Sequence, residues 1–210
     1  MSLRKSICTI SLIKCDITAI KADILVTSSN ENLMGNKNGS YWRFNGRINV
    51  DGSIRSSLNQ KELDEDLKDK ILKPGESIIT PSSGLIKENN IKYIIHTCVP
   101  DGAYGFDSTN SIEVFRNCFS SCLTLAESKQ ASSLAFPALG CGVKEWNKGR
   151  ASDIAFTSIC EQASKLRSLH QIFFVFKEAS VFNTFKLVGE KKLGLGYEEI
   201  DKYSFKVHNI

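Results

Sequence analysis

The chain has 210 residues, 41% of them hydrophobic and 24% charged, a balance that suits an ordinary globular protein with room for a buried core. Its net charge of +4 is spread along the sequence; that suits a small anionic ligand, and no basic stripe with interleaved aromatics points to specific nucleic-acid binding. No apolar run is long enough to cross a membrane and no signal peptide opens the chain, so no membrane partner is expected. In chain order, Ile7 to Ile13 alternates at period two, as a half-buried strand does. Asp23 to Thr27 is a short continuous apolar run, the pattern of a strand covered on both faces. Ser77 to Thr80, Tyr93 to Thr97, Ser133 to Phe136 and Ile172 to Phe176 repeat that type.

Helical patterns lie between the last three of these strands. Residues 110 to 128 set Ile112, Phe115, Phe119, Cys122, Leu123 and Ala126 on one face, and residues 149 to 167 do the same with Ala151, Ile154, Ala155, Ile159 and Leu166. Val181, Phe185 and Val188 predict a last helix. Strands alternating with helices of this length predict an α/β sandwich around a largely parallel sheet. Glu31 to Asn49, rich in Asn and Gly, and the tail from Gly194 read as irregular. No repeat or linker divides the chain, so residues 1–193 read as one domain, with 194–210 as a C-terminal extension packed on it or trailing it.

Seven cysteines are present, with no Cys-x-x-Cys spacing and only three histidines beside them. Neither a zinc site nor a cofactor is expected, and the compartment reads as reducing, cytoplasmic or nuclear. Cys118 and Cys122 sit four apart on an apolar helical face and read as core. His96 falls in a buried-strand pattern and reads as a core histidine rather than a base.

In open α/β sheets, ligands collect outside the carboxyl ends of the strands. Three polar clusters fall there: Ser28-Ser29-Asn30, Pro100-Asp101-Gly102 and Gly140-Cys141-Gly142. The last stands between a strand and a helix. Glycines at such a place let the backbone approach a ligand, and consecutive N–H groups can meet phosphate oxygens.

Taken together, Cys15-Asp-Ile-Thr18, Ala22 to Asn30, Asn49-Val-Asp-Gly-Ser-Ile54, Pro74 to Thr80, Tyr93 to Pro100 and Phe136 to Val143 form an ordered series. The series resembles the macro domain family, closest to its MacroD-type and O-acetyl-ADP-ribose deacetylase-like members, over nearly the whole chain. The resemblance implies a three-layer α/β/α sandwich with a central mixed, largely parallel sheet, and ADP-ribose as the ligand. Asp16 would accept from the adenine amino group and Ile17 would offer its N–H to the ring; a carboxylate only accepts, which suits an exocyclic amine. Asn30 would meet the far ribose. Asp51 aligns with an acidic residue that positions or activates water there; its other reading is an N-cap for a helix starting at Gly52. Gly46, Ile48, Asn49 and Val50 would supply one backbone loop around the ligand. Gly140, Cys141, Gly142, Val143 and Lys144 would supply the second, which cradles the diphosphate. Phe176 would stack on adenine, with Phe182 as the other possibility. A nucleophilic Cys141 is not favoured, because no His stands nearby in sequence.

Two departures stand out. The loop between Asn30 and Asp51 is longer than the family's, with Tyr41, Trp42, Arg43, Phe44 and Arg47 in it. After Gly142-Val143 the usual aromatic is Lys144, followed by Glu145-Trp146-Asn147. Lys144 would add charge near the phosphates, and Trp146 would wall the far ribose. The leading functional expectation is binding of ADP-ribose with hydrolysis of mono-ADP-ribose from proteins or of O-acetyl-ADP-ribose, with Asn30 and Asp51 as the catalytic pair. The alternatives are a reader of ADP-ribosylated proteins without turnover and an enzyme acting on ADP-ribose-1″-phosphate. A monomer is expected, with ADP-ribose or an ADP-ribosylated protein as its partner.

Overall fold

The structure, a computed structural model, describes residues 8–33, 43–44, 47–82, 89–102, 109–193, 197–201 and 204–207. In chain order they form β1 (Thr9–Lys14), β2 (Ile24–Ser29), β3 (Arg43–Phe44), β4 (Arg47–Ile48), α1 (Val50–Arg55), α2 (Gln60–Leu67), β5 (Ser77–Pro81), β6 (Tyr93–Cys98), α3 (Thr109–Ser128), β7 (Ser133–Pro137), α4 (Lys148–Gln162), β8 (Gln171–Phe176), α5 (Ala179–Leu193), β9 (Tyr197–Asp201) and β10 (Ser204–Val207). One eight-stranded sheet runs β5-β6-β2-β7-β8-β1-β10-β9. The middle five strands are parallel. β5 closes one edge antiparallel, and β10 and β9 close the other. The sheet is mixed, largely parallel and covered by helices on both faces, as expected.

Strand parity sorts the core into two. On β8, Ile172, Phe174 and Phe176 face α3, α4 and α5, while Phe173 and Val175 face the side of α1 and α2. The same alternation holds on β2, where Ile24 and Val26 belong to the first core and Leu25 to the second. Side chains point alternately to the two faces of a strand, so a strand with apolar residues at every position feeds both cores. The larger core is aromatic. Phe119, Phe136 and Phe174 follow one another at 5.4 and 5.7 Å between ring centroids, and Phe185 continues from Phe174 at 5.5 Å. Just before the amino end of β2, the Asp23 carboxylate accepts from the Ser132 N–H at 2.8 Å and pairs with Lys92 at 2.8 Å. Burial pushes this carboxyl up, but Lys92 and Ser132 outweigh it and hold it down at about 2.

Three features differ from the sequence reading. The tail from Gly194 reads as irregular, yet Ile10 to Ile13 of β1 pair with β10, and β10 pairs with β9. The open edge of β1 decides that pairing, and no local pattern in the tail announces it. α2 buries only Leu63 and Leu67, too thin a stripe to read as a helix. Its start is fixed by Asn59, whose Oδ1 accepts from the Lys61 N–H at 3.2 Å and whose Nδ2 donates to Glu62 Oε1 at 2.8 Å. Third, β3 and β4 pair as a short antiparallel ladder inside the long loop. Tyr41, Trp42 and Gly46, singled out in that loop, lie outside the described residues.

Candidate functional site

The parallel strands end together along one rim. The chain leaves β6, crosses by α3 and returns as β7 on the other side of β2, so the ends of β2 and β7 flank a topological switch point, where α/β sheets bind ligands. A cavity of about 360 Å³ lies there. Ser28, Ser29 and Asn30 come to it from the end of β2, and Asn49, Val50 and Asp51 from the start of α1. Asp101 comes from beyond β6, and the stretch from Pro137 to Lys144 from the loop after β7, without Cys141.

Asp51 is the most constrained of these groups. Its side chain is 13% exposed. Oδ1 accepts from the Thr27 hydroxyl at 2.9 Å, and Oδ2 accepts from Arg55 Nε at 2.8 Å. Arg55, 1% exposed, also donates through Nη2 to the Leu33 carbonyl. Leu33 in turn donates its N–H to the Asn30 carbonyl at 3.2 Å, with a positive φ of 56°. Arg55 therefore ties the turn that carries Asn30 to the helix that carries Asp51. Burial pushes the Asp51 carboxyl above its ordinary value, against the pull of Arg55 and of Thr27.

The N-cap reading of Asp51 is corrected: α1 begins at Val50, and its cap is Asn49, whose Oδ1 accepts from the Gly52 N–H at 2.7 Å. Sequence reasoning missed Arg55 and Thr27. The signal for Arg55 was its spacing of four from Asp51, which puts both on one helix face. Ser29 was noticed only as part of a polar run. Ser29 lines the cavity, and its buried hydroxyl has no hydrogen-bond partner among the described residues.

The loop after β7 is built from turns. The Cys141 N–H donates to Ala138 O at 3.1 Å, Glu145 to Gly142 O at 2.9 Å and Trp146 to Gly140 O at 3.0 Å. Among the described residues, nothing accepts from the N–H groups of Gly142, Val143 or Lys144. Three consecutive unclaimed donors at a cavity wall suit an anion. Gly140 is required by the fold: its φ is +81°, and a Cβ there would stand 2.9 Å from Phe115 Cζ. Gly142 is different, since a Cβ there would meet nothing within 4 Å.

Cys141 packs against the larger core, and its thiol is pushed up to about 12 by burial. A neutral thiol is a poor nucleophile. Lys144 pairs with Asp101 at 2.9 Å. Trp146 does not wall a ligand. It is 3% exposed, packs on Phe115 with centroids 4.6 Å apart and donates Nε1–H to Pro100 O at 2.9 Å. Its reach across to Pro100 joins two rim loops, together with the Gly102 N–H to Lys144 O bond at 2.7 Å.

The other expected residues fall away from this cavity. Asp16 follows the carboxyl end of β1 and is not among the residues that line the cavity. It is 41% exposed; Oδ1 accepts from the Thr18 N–H at 3.0 Å and hydroxyl at 2.7 Å, and Oδ2 faces Lys177 at 3.4 Å. Burial raises its carboxyl, but these donors outweigh burial and hold it below the usual carboxylate value. Ile17 follows in a short 3₁₀ turn, buried in the smaller core. Ile48 ends β4, next to Asn49; Gly46 is not described. Phe176 is corrected: it is 2% exposed and set edge-on to Phe182 and Phe185, at 5.6 and 4.8 Å. Parity with Phe174 turns it to the α5 face, so no ring face is open for stacking. Phe182, 5% exposed, is core as well. His96 is fully buried, shares a hydrogen bond with Thr80 at 3.0 Å and is pushed down to about 3 by burial. It is a neutral core histidine, though its Nδ1 has no partner among the described residues.

Comparison with known proteins agrees with this architecture. The chain is 27% identical over 173 residues to an O-acetyl-ADP-ribose deacetylase of Salmonella gallinarum, covering 79% of this chain and 86% of that one. It is 29% identical over 181 residues to an ADP-ribose glycohydrolase MACROD2 of Xenopus laevis, covering 85% of this chain and 40% of that protein. Among solved structures, a point mutant of the Oceanobacillus iheyensis macrodomain with ADPR superposes with a TM-score of 0.72 at 22% identity, over 91% of this chain and 96% of that one. The Trypanosoma brucei macrodomain in complex with ADP-ribose superposes with a TM-score of 0.70 at 22% identity, over 86% and 69%. The family model described as Macro domain matches residues 28–155, more than half of the sequence and nearly all of the rim just described, and the chain belongs to the macro domain family.

Proposed function

We propose that this protein binds ADP-ribose along the strand tips and hydrolyses a bond at its far ribose, releasing mono-ADP-ribose from a protein side chain or deacylating O-acetyl-ADP-ribose. One observation carries the reading. A single cavity brings Asn30 and Asp51 together with the unclaimed N–H groups of Gly142, Val143 and Lys144. Backbone donors suit a diphosphate, and the amide of Asn30 can both donate to and accept from a ribose hydroxyl. The named activities of the relatives support the same chemistry.

Asp51 is held on both oxygens, but each carboxylate oxygen keeps a further lone pair. One lone pair can orient a water against the far ribose, and a carboxyl raised by burial is a better proton acceptor than an ordinary surface carboxylate. The same two bonds favour a second reading. A carboxylate fixed by Thr27 and Arg55 is also a purely structural strut, and the protein would then be a reader without turnover.

Calorimetric titration with ADP-ribose, with AMP and ribose-5-phosphate as controls, tests the binding. Micromolar affinity for ADP-ribose well above both fragments is expected, and absence of binding overturns the proposal. Turnover of an O-acetyl-ADP-ribose substrate by the parent protein and by Asp51→Asn then separates the readings. Loss of turnover with binding retained supports catalysis, and a parent without turnover leaves the reader.

A further inference from the structure

A second cavity, of about 410 Å³, opens beside the first. The two share Asn30, Asp101 and Lys144, so these three residues stand between them. The divide is largely an ion pair. Lys144 Nζ lies 2.9 Å from Asp101 Oδ1, with side chains 23% and 63% exposed. Water screens the exposed Asp101 end of this pair and leaves it weak, so Lys144 can exchange Asp101 for a better-placed acceptor at little cost. Glu31 and Asn32 supply polar lining, and Pro74 adds apolar surface. The lining is anchored, because the Leu72 N–H donates to Glu31 O at 2.8 Å and the Gly75 N–H to Cys98 O at 2.8 Å.

We infer that this second cavity receives the acyl group esterified to the far ribose of ADP-ribose, and that Lys144 is the residue that recognises it. The inference rests on the ADP-ribose reading above. The second cavity adjoins the first at Asn30, the residue assigned to the far ribose, so a group joined to that ribose has this space beside it. Lys144 then meets the acyl carbonyl, and after hydrolysis it meets the free carboxylate. A charged donor bonds both, the carboxylate more strongly. Asp101 holds the ammonium when the cavity is empty. The volume exceeds what an acetyl group fills and accommodates an acidic side chain with its neighbouring peptide. Lys144 stands where the family resemblance would place an aromatic residue, so the preference belongs to this chain's own lysine.

The test compares dissociation constants for three ligands: ADP-ribose, an analogue carrying a non-hydrolysable acetamide on the far ribose, and one carrying a glutamyl peptide through the same amide. The peptide analogue is expected to bind the parent protein at least fivefold tighter than ADP-ribose. Lys144→Gln should shrink that ratio at least threefold. Glu31→Trp, which fills the second cavity and keeps the backbone bond to Leu72, should bring the ratio to within twofold of one. If the acetamide gains as much as the peptide, the source is a small acyl group; if only the peptide gains, it is a protein side chain. A parent ratio near one, or a ratio that survives Glu31→Trp, overturns the assignment while ADP-ribose still binds. Failure of all three ligands overturns the ADP-ribose reading and this assignment with it.

Discussion

Replacing Arg55 with Met removes the buried partner of Asp51, and the structure sets both the size and the pH dependence of the effect. Arg55 is 1% exposed and Asp51 13%, so water cannot stand in freely for the lost guanidinium. Stranding one member of a buried pair costs about 3–5 kcal/mol, and the Leu33 carbonyl loses a donor worth about 1 kcal/mol. Against a typical domain stability of about 5–15 kcal/mol, the variant should fold but with little margin.

Burial already raises the folded carboxyl of Asp51 above its ordinary value, and Arg55 opposes that rise. Without Arg55 the folded value climbs further, while the unfolded value stays at about 3.9. A raised carboxyl costs nothing below the unfolded pKa, and its cost grows with pH up to the folded pKa. The deficit of Arg55→Met against the parent should therefore be smaller at about pH 4.5 than at about pH 7.5, by about 1.4 kcal/mol for each unit of further climb. Urea unfolding of both proteins at the two pH values measures it, and Asp51→Asn placed in the Met background should flatten the difference. A deficit of equal size at both pH values would refute the argument, since the cost would then be packing and not charge.

The two glycines of the β7 loop should respond oppositely. Gly140→Ala should destabilise by about 1–3 kcal/mol, because φ is +81° and the new methyl meets Phe115. Gly142→Val should leave the melting temperature nearly unchanged yet weaken ADP-ribose binding tenfold or more, since its Cβ projects into open space that a ligand would fill; thermal melts and calorimetry on both variants decide it. Asp16→Ala should weaken ADP-ribose and AMP alike by about 1.5–3 kcal/mol, the range for hydrogen bonds to a charged group; a loss confined to ADP-ribose would count against an adenine contact. Cys141, with its thiol pushed up to about 12, should alkylate with iodoacetamide far more slowly at neutral pH than an exposed thiol in a model peptide, and rapid labelling would contradict its packing.

Strand positions were legible because six short apolar runs have no other use in a chain of this composition. The long helices were legible because their apolar stripes keep one period across many turns. The rim loops were located by the rule that ligands gather past strand ends, which depends on topology and not on any single residue. What stayed hidden depends on partners remote in sequence. β9 and β10 exist because β1 offers an edge. Trp146 read as a ligand wall, since its partners Phe115 and the Pro100 carbonyl lie far from it along the chain. Phe176 was a different failure. Counting by two from Phe174 would have turned it into the helix-covered core, and a functional expectation overrode that count. Arg55 was equally countable, four residues after Asp51, but nothing in the sequence says that a helix face is buried and not wet.

The position of β1 has a consequence for how the protein is made. β1 stands between β8 and β10, and Thr9 aligns with Gln171. On a ribosome, β1 emerges long before β8 and β10, and it must wait for both neighbours to be made. Until then Ile10 and Leu12, which are fully buried in the finished molecule, have no sheet to join. Long-range pairing of this kind slows folding and exposes apolar segments on the way. Transposing residues 8–14 to follow α5 would let the strand meet β8 soon after β8 is made, so refolding should become faster and less prone to aggregation.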